Sequence, residues 1–147
     1  PTDAVTLGLS YGYLDYKIKD FVINGVDRSD TAVVAFAPAN VLSAYLEYTL
    51  PTTPIGQPVL RLDSVYKDRV DFDTLSYARS WAEPYSLLNA RITLEKIPFS
   101  NFDIRLSLWG RNLSNESNQI MGIDFGEFQT GMFGDPRAFG VDLRMKF

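Results

Sequence analysis

The side chains best equipped for chemistry in this chain are aromatic. Tyr77, Arg79, Trp81 and Tyr85 gather in one stretch, and Phe125, Phe128 and Phe133 lie in another, among Gly122, Gly126, Gly131, Gly134 and Gly140. Aromatic faces beside a single guanidinium can stack on a planar chelate or a sugar ring, adding cation–π attraction to apolar area. The same side chains can instead pack connecting segments against each other, and residue type alone does not separate the two uses. Tyr77, Arg79, Trp81, Phe125, Phe128 and Phe133 are the candidates for contact with a ligand.

Carboxylates come next. Asp71 with Asp73, or Glu83 with a neighbour, could act as acid and base, but their spacing does not distinguish them from solvated loop residues. Asp124, Glu127 and Asn118 offer oxygen ligands to calcium without EF-hand spacing. Asn112-Leu-Ser114 and Asn115-Glu-Ser117 fit the N-glycosylation pattern and read better as a polar exit from a strand. The chain has no His and no Cys. The commonest general base, the thiolate nucleophile and the usual zinc and haem ligands are absent together. The expectation is a protein that is no enzyme, with no catalytic residue, cofactor or metal.

Composition narrows the field further. Fourteen Lys and Arg against eighteen Asp and Glu leave a net charge of −4, which argues against a nucleic-acid partner. A chain of 147 residues, 46% of them hydrophobic, fits one ordinary domain with a real core. No run approaches the roughly 18 apolar residues of a membrane-crossing helix. Pro1-Thr-Asp-Ala does not open like a signal peptide. Because it opens on Pro1, the chain is expected to be a processed product or a piece of something longer.

The elements that must position these residues read as strands. Two-residue alternation recurs in Val5, Leu7, Leu9, Tyr11, Tyr13; in Leu42, Ala44, Leu46, Tyr48; and in Leu60, Leu62, Ser64, Tyr66. It returns in Leu88, Ala90, Ile92, Leu94; in Phe102, Ile104, Leu106, Leu108; and in Phe139, Val141, Leu143, Met145, Phe147. Six strands of about ten residues follow. The connections alternate: residues 51–58 and 97–101 are short turns, while 17–40, 71–84 and 113–137 are long. Short loops on one side and long ones on the other are the habit of an outer-membrane barrel. Asn24-Gly25 predicts a type I′ hairpin turn within the first long loop, with the flanking strands rising beyond the membrane.

One face of these strands carries almost no charge. The other carries Arg61, Asp63, Lys67, Arg91, Glu95, Asp103, Arg105, Asp142, Arg144 and Lys146, enough for ion-pair ladders between strands. Tyr11, Tyr13, Tyr48, Tyr66 and Phe147 stand near strand ends on the apolar face, as an interfacial aromatic girdle would. Strands of about ten residues are also the length that crosses a bilayer at a tilt.

The last third of the chain adds motifs. Leu106-Ser-Leu-Trp-Gly-Arg-Asn-Leu113 resembles the penultimate strand of TonB-dependent receptors. Asp135-Pro-Arg137, followed by Ala138-Phe-Gly-Val-Asp-Leu-Arg-Met-Lys-Phe147, is similar to that family's closing segment. Tyr85-Ser-Leu-Leu-Asn-Ala-Arg91 resembles the strand opening two strands earlier, and Phe36-Ala-Pro-Ala-Asn-Val41 the entry to a downward strand. The resemblance covers nearly the whole chain in the family's order.

The resemblance implies an all-β fold, an antiparallel transmembrane barrel of about 22 strands, of which residues 1–147 would supply the C-terminal six as a single partial domain. It implies a multi-pass protein of the Gram-negative outer membrane that imports a scarce nutrient such as a ferric siderophore, vitamin B12 or an oligosaccharide. Its implied partners are outer-membrane lipid, the remaining strands and plug, a TonB-type energy transducer, and the barrel-assembly machinery. Phe139, Val141, Leu143, Met145 and Phe147 would be the assembly signal. The plug is missing, and no segment resembles the short motif that engages the transducer. The alternatives are a complete eight-stranded barrel with a structural or adhesion role, needing residues 22–26 and 32–36 as extra strands, and a soluble ligand-binding barrel.

Overall fold

The computed structural model describes residues 4–75, 80–99 and 102–146, and among them the chain is all-β. In chain order the strands are β1 (Val5–Tyr13), β2 (Val22–Ile23), β3 (Val26–Asp27), β4 (Asn40–Thr49), β5 (Gln57–Lys67), β6 (Val70–Asp71), β7 (Trp81–Ala82), β8 (Tyr85–Phe99), β9 (Phe102–Arg111), β10 (Gln119–Asp124), β11 (Gln129–Phe133) and β12 (Ala138–Lys146). Six of them form one antiparallel sheet in the order β1-β4-β5-β8-β9-β12, and the other six make three separate two-stranded pairs.

The sheet is an up-and-down meander, because each long strand pairs with the next long one in the chain. Its register aligns the alternation of all six strands. Val5, Tyr48, Leu60, Ile92, Leu108 and Val141 form one unbroken apolar row, and Leu7, Leu46, Leu62, Ala90, Gly110 and Phe139 form the next. On the reverse face one row reads Thr6, Glu47, Arg61, Arg91, Trp109 and Gly140. A slip of one residue in any strand would exchange the two faces, so the patterning pins the register.

All three long connections leave the same end of the sheet, after β1, β5 and β9, and they hold the three small strand pairs. At the other end, residues 50–56 turn tightly between β4 and β5. Thr53 and Gly56 exchange backbone hydrogen bonds there, of 2.8 and 3.1 Å. Gly56 has φ +133, and a Cβ on it would lie 2.6 Å from the Glu95 carbonyl oxygen, so no larger residue fits without distortion.

Three expectations need correction. Residues 97–99 are not a turn: β8 runs on to Phe99 through a bulge between Leu94 and Ile97, where Lys96 takes φ +52. The extra residue shifts the alternation by one place, which conceals the strand from a period-two reading. The Asn24-Gly25 turn forms, with φ +51 and +77, but its hairpin stands apart from the main sheet. The flanking strands stop pairing at Tyr13 and Asn40 rather than rising with it. Residues 32–36 form no strand, so neither stretch that an eight-stranded barrel would need joins the sheet. As expected of six strands alone, β1 and β12 remain the two edges of the sheet, and no closed barrel forms among the described residues.

The hydrophobic residues do not make an interior core for the sheet. Leu7, Leu9, Leu62, Ile92, Leu108, Phe139, Val141 and Leu143 are exposed on the apolar face. Among the described residues the buried apolar side chains are Phe72, Ala82 and Ile104, and only Ile104 belongs to the six-stranded sheet. Apolar area has been sorted to one open face rather than enclosed.

Candidate functional site

The loop layer begins with chain segments that exchange backbone hydrogen bonds across long sequence distances. Val33 N–H donates to Thr74 O at 2.8 Å, Phe36 N–H to Asp71 O at 2.8 Å, and Asp68 N–H to Asn40 O at 3.0 Å. The first two long connections are thereby stitched together. Phe36 and Phe72 meet with ring centroids 5.7 Å apart. The third connection joins through Ser80, which is buried and donates its hydroxyl to Gly122 O at 3.3 Å.

Trp81 lies within this layer rather than at its surface. It is half-buried in β7, opposite Asp71, and the Arg69 guanidinium sits 4.3 Å from its ring centroid. Arg69 is itself held by Asp71 at 2.7 Å. The cation that stacks on Trp81 is thus Arg69, a residue that the aromatic clustering did not single out. Its sequence signal was the Arg-x-Asp spacing, which places both side chains on one face of an extended segment. Tyr85 opens β8, half-buried. Tyr77 and Arg79 lie outside the described residues.

Phe125, Phe128 and Phe133 belong to the β10–β11 hairpin. The first two stack at its tip, with centroids 4.8 Å apart and planes inclined by 22°, and all three are exposed. The structure therefore divides the candidate set: Trp81 serves the base of the loop layer, and the phenylalanines stand on the hairpin.

The carboxylates are already occupied or scattered. Asp71 accepts from Arg69, and Asp73 accepts from the Leu75 amide at 3.0 Å. Asp124 caps the hairpin turn by accepting from Gly126 N–H at 2.7 Å, whereas Asn118 immediately precedes β10 at the opposite end. Among the described residues no group of three or more acidic side chains is placed to hold a metal. Asn112 is buried, with an amide that donates to Glu116 O and Asp135 O at 2.8 and 3.1 Å and accepts from Glu116 N–H at 2.8 Å. A glycan cannot be attached to it in the folded chain. Asn115 is exposed.

Two loop carboxylates are held below the ordinary range. The Ser29 hydroxyl and amide stabilise the ionised Asp27, and the Asn40 amide together with the Arg69 backbone N–H does the same for Asp68.

The charged face of the sheet carries the ion pairs its spacing predicts. Arg61 meets Glu47 at 3.2 Å and Asp63 at 2.9 Å, Arg91 meets Asp142 at 2.8 Å, and Arg105 meets Glu95 at 3.2 Å. These are half-exposed pairs, each worth about 0.2–1 kcal/mol. Their arrangement offsets two like-charge contacts, since Arg61 faces Arg91 and Arg105 faces Arg144 across adjacent strands. Arg61 also lies 4.5 Å from the Tyr45 ring centroid, and Arg111 5.1 Å from that of Trp109.

On the last strand, Phe139, Val141, Leu143 and Met145 share the open apolar face and are exposed, while Phe147 lies outside the described residues. Comparison with family models, with curated proteins and with solved structures finds no match for this chain.

Proposed function

We propose that this chain is the C-terminal part of the barrel of a TonB-dependent outer-membrane receptor, which takes up a scarce nutrient with energy delivered by a TonB-type partner. The observation that carries this reading is the sorting of the sheet. Unbroken apolar rows lie open on one face, ion pairs line the other, long loops leave one end and short turns the other. A soluble barrel or sandwich would enclose the apolar rows; lipid is the medium in which they need no cover. Strands β1, β4, β5, β9 and β12 span 9 to 11 residues, which matches the length of a tilted bilayer crossing. Open edges at β1 and β12 would then be satisfied by further strands of the same barrel, because a bilayer leaves no backbone group unpaired. The charged face would line the lumen and meet the plug, and the loop layer would meet the cargo. The apolar row of β12 would be read by the assembly machinery, with Phe147 as its end.

Spin labels test the reading. In the membrane-inserted parent protein, labels at Leu62, Ile92 and Leu106 are expected to relax faster with lipid-soluble oxygen than with an aqueous reagent. Labels at the neighbouring Arg61, Arg91 and Arg105 are expected to show the opposite preference. Aqueous access at the three apolar positions would overturn the assignment.

A further inference from the structure

The two like-charge contacts on the charged face are not equally resolved. Arg61 and Arg91 face each other across β5 and β8, and each has a carboxylate partner of its own. Arg105 and Arg144 are directly opposed on β9 and β12, and only Arg105 has such a partner, Glu95 at its Nε. Arg144 meets no acidic side chain among the described residues. Directly opposed side chains start about 5 Å apart, and like charges placed so repel. This conflict lies on the β9 side of β12, not at its open edge.

The same two arginines line a cleft of about 450 Å³ on the charged face, between β8, β9 and β12. Thr93 and Ser107 also line it. Both are buried, and their hydroxyls share one hydrogen bond of 3.0 Å. Two hydroxyls carry two hydrogens, and a bond between them uses one. The second finds no protein acceptor among the described residues. Arg91, Glu95 and Asp142 complete the polar lining, so three guanidiniums stand against two carboxylates, both already engaged. The cleft is rich in donors and short of acceptors.

We infer that this cleft binds the phosphate group of a small solute, which bridges Arg105 and Arg144 and accepts the spare hydroxyl hydrogen. Guanidinium forks match oxyanions bidentately, and a bound anion turns the Arg105–Arg144 repulsion into two charge-assisted contacts. Two guanidiniums and a hydroxyl ask for more acceptors than the two oxygens of a carboxylate, and phosphate supplies them. The volume exceeds that of a bare ion and falls in the range of small-molecule sites. The inference goes beyond the import reading and does not depend on it, since it concerns the charged face alone.

The test uses the full chain in a neutral, phosphate-free detergent at constant ionic strength. Glycerol 3-phosphate is the probe, acetate and chloride are the comparisons, and backbone amide and arginine Nε–H resonances are the readout. Glycerol 3-phosphate is expected to shift Thr93, Arg105, Ser107 and Arg144 saturably, with acetate binding far more weakly and chloride producing no such shift. Inorganic phosphate is expected to bind less tightly, because it leaves much of the cleft unfilled. Arg144→Gln is expected to weaken binding of the probe roughly tenfold, the loss of one charge-assisted contact. Arg144→Lys keeps the charge without the fork and is expected to weaken it about threefold. Equal shifts with acetate or chloride, shifts centred elsewhere on the chain, or an affinity unchanged by Arg144→Gln would each overturn the inference. Tighter binding of inorganic phosphate would overturn the small-solute assignment. The preference of the unmodified chain for the probe over acetate stands as a test whether or not the variants fold. The spin-label test of the import reading concerns the opposite face, so either can fail without the other.

Discussion

Asn112 shows how much one polar side chain can hold in a loop layer with little apolar burial. It takes φ +49 and ties the end of β9 to Glu116 and Asp135 through three side-chain hydrogen bonds, while its own N–H donates to Asn89 Oδ1 at 2.9 Å. Asn112→Ala removes those three bonds, strands part-buried backbone partners and places Ala in the left-handed region, at an expected cost of about 2–4 kcal/mol. Asn112→Gly relieves the backbone strain alone and should cost less. Thermal unfolding, with amide exchange at residues 112–118, measures both. Asp27 makes a prediction about pH. Its carboxylate accepts from the Ser29 hydroxyl at 2.5 Å and the Ser29 amide at 2.9 Å, which holds its folded pKa below the ordinary aspartate value. A lowered acid stabilises the fold above its unfolded pKa, and that contribution is lost as pH falls through the folded value. The Ser29 amide resonance should therefore titrate with a midpoint below that of an unperturbed aspartate, and Asp27→Asn should abolish the step.

At the scale of the element, the sheet uses aromatic rings on its charged face to cover glycines on neighbouring strands. The Tyr45 ring lies over Gly8, its directly opposed partner, and the Trp109 ring lies over Gly140 in the same relation. Both pairs sit on the outermost strand pairs, where a ring supplies the contact area a glycine lacks. Trp109 is further fixed by donating its indole N–H to Asp142 at 3.2 Å. A Cβ on Gly8 would collide with the Tyr45 ring and force it off the Arg61 guanidinium. Gly8→Ala should therefore destabilise the β1–β4 pair by about 1–2 kcal/mol, and the cost should largely vanish in a Tyr45→Ala background. Unfolding of the two single variants and the double variant gives the coupling directly. If the four free energies simply add, ring and glycine do not act as a unit.

At the scale of the molecule, the sheet presents two kinds of unfinished surface. Its edges carry unpaired backbone groups along β1 and β12, and its apolar rows run uncovered from one edge to the other. The isolated polypeptide is therefore expected to associate in water and to become monodisperse only in detergent. Sedimentation with and without detergent decides this, and a compact monomer in plain buffer that melts cooperatively would sink the membrane reading.

Much of the architecture was legible in the residues because alternation is a local property. Each run from Val5 to Met145 announces a strand and both of its faces, and the contrast of long and short connections announces a meander. The bulge at Lys96 was not legible, since a single added residue leaves no mark on composition and breaks only the phase. Nor was the fate of the aromatic candidates. Whether Trp81 faces a ligand or Arg69, and whether Phe125 and Phe128 stack on each other, depends on which loops meet. Loop meeting is set by contacts between segments far apart in the chain, such as Ser80 with Gly122 and Phe36 with Asp71. The sequence by itself determined the six long strands and the contrast between their two faces, because side-chain period and turn chemistry act over a few residues. Only the tertiary structure decided which apolar surface stays open, because burial belongs to pairs of elements and not to any one of them.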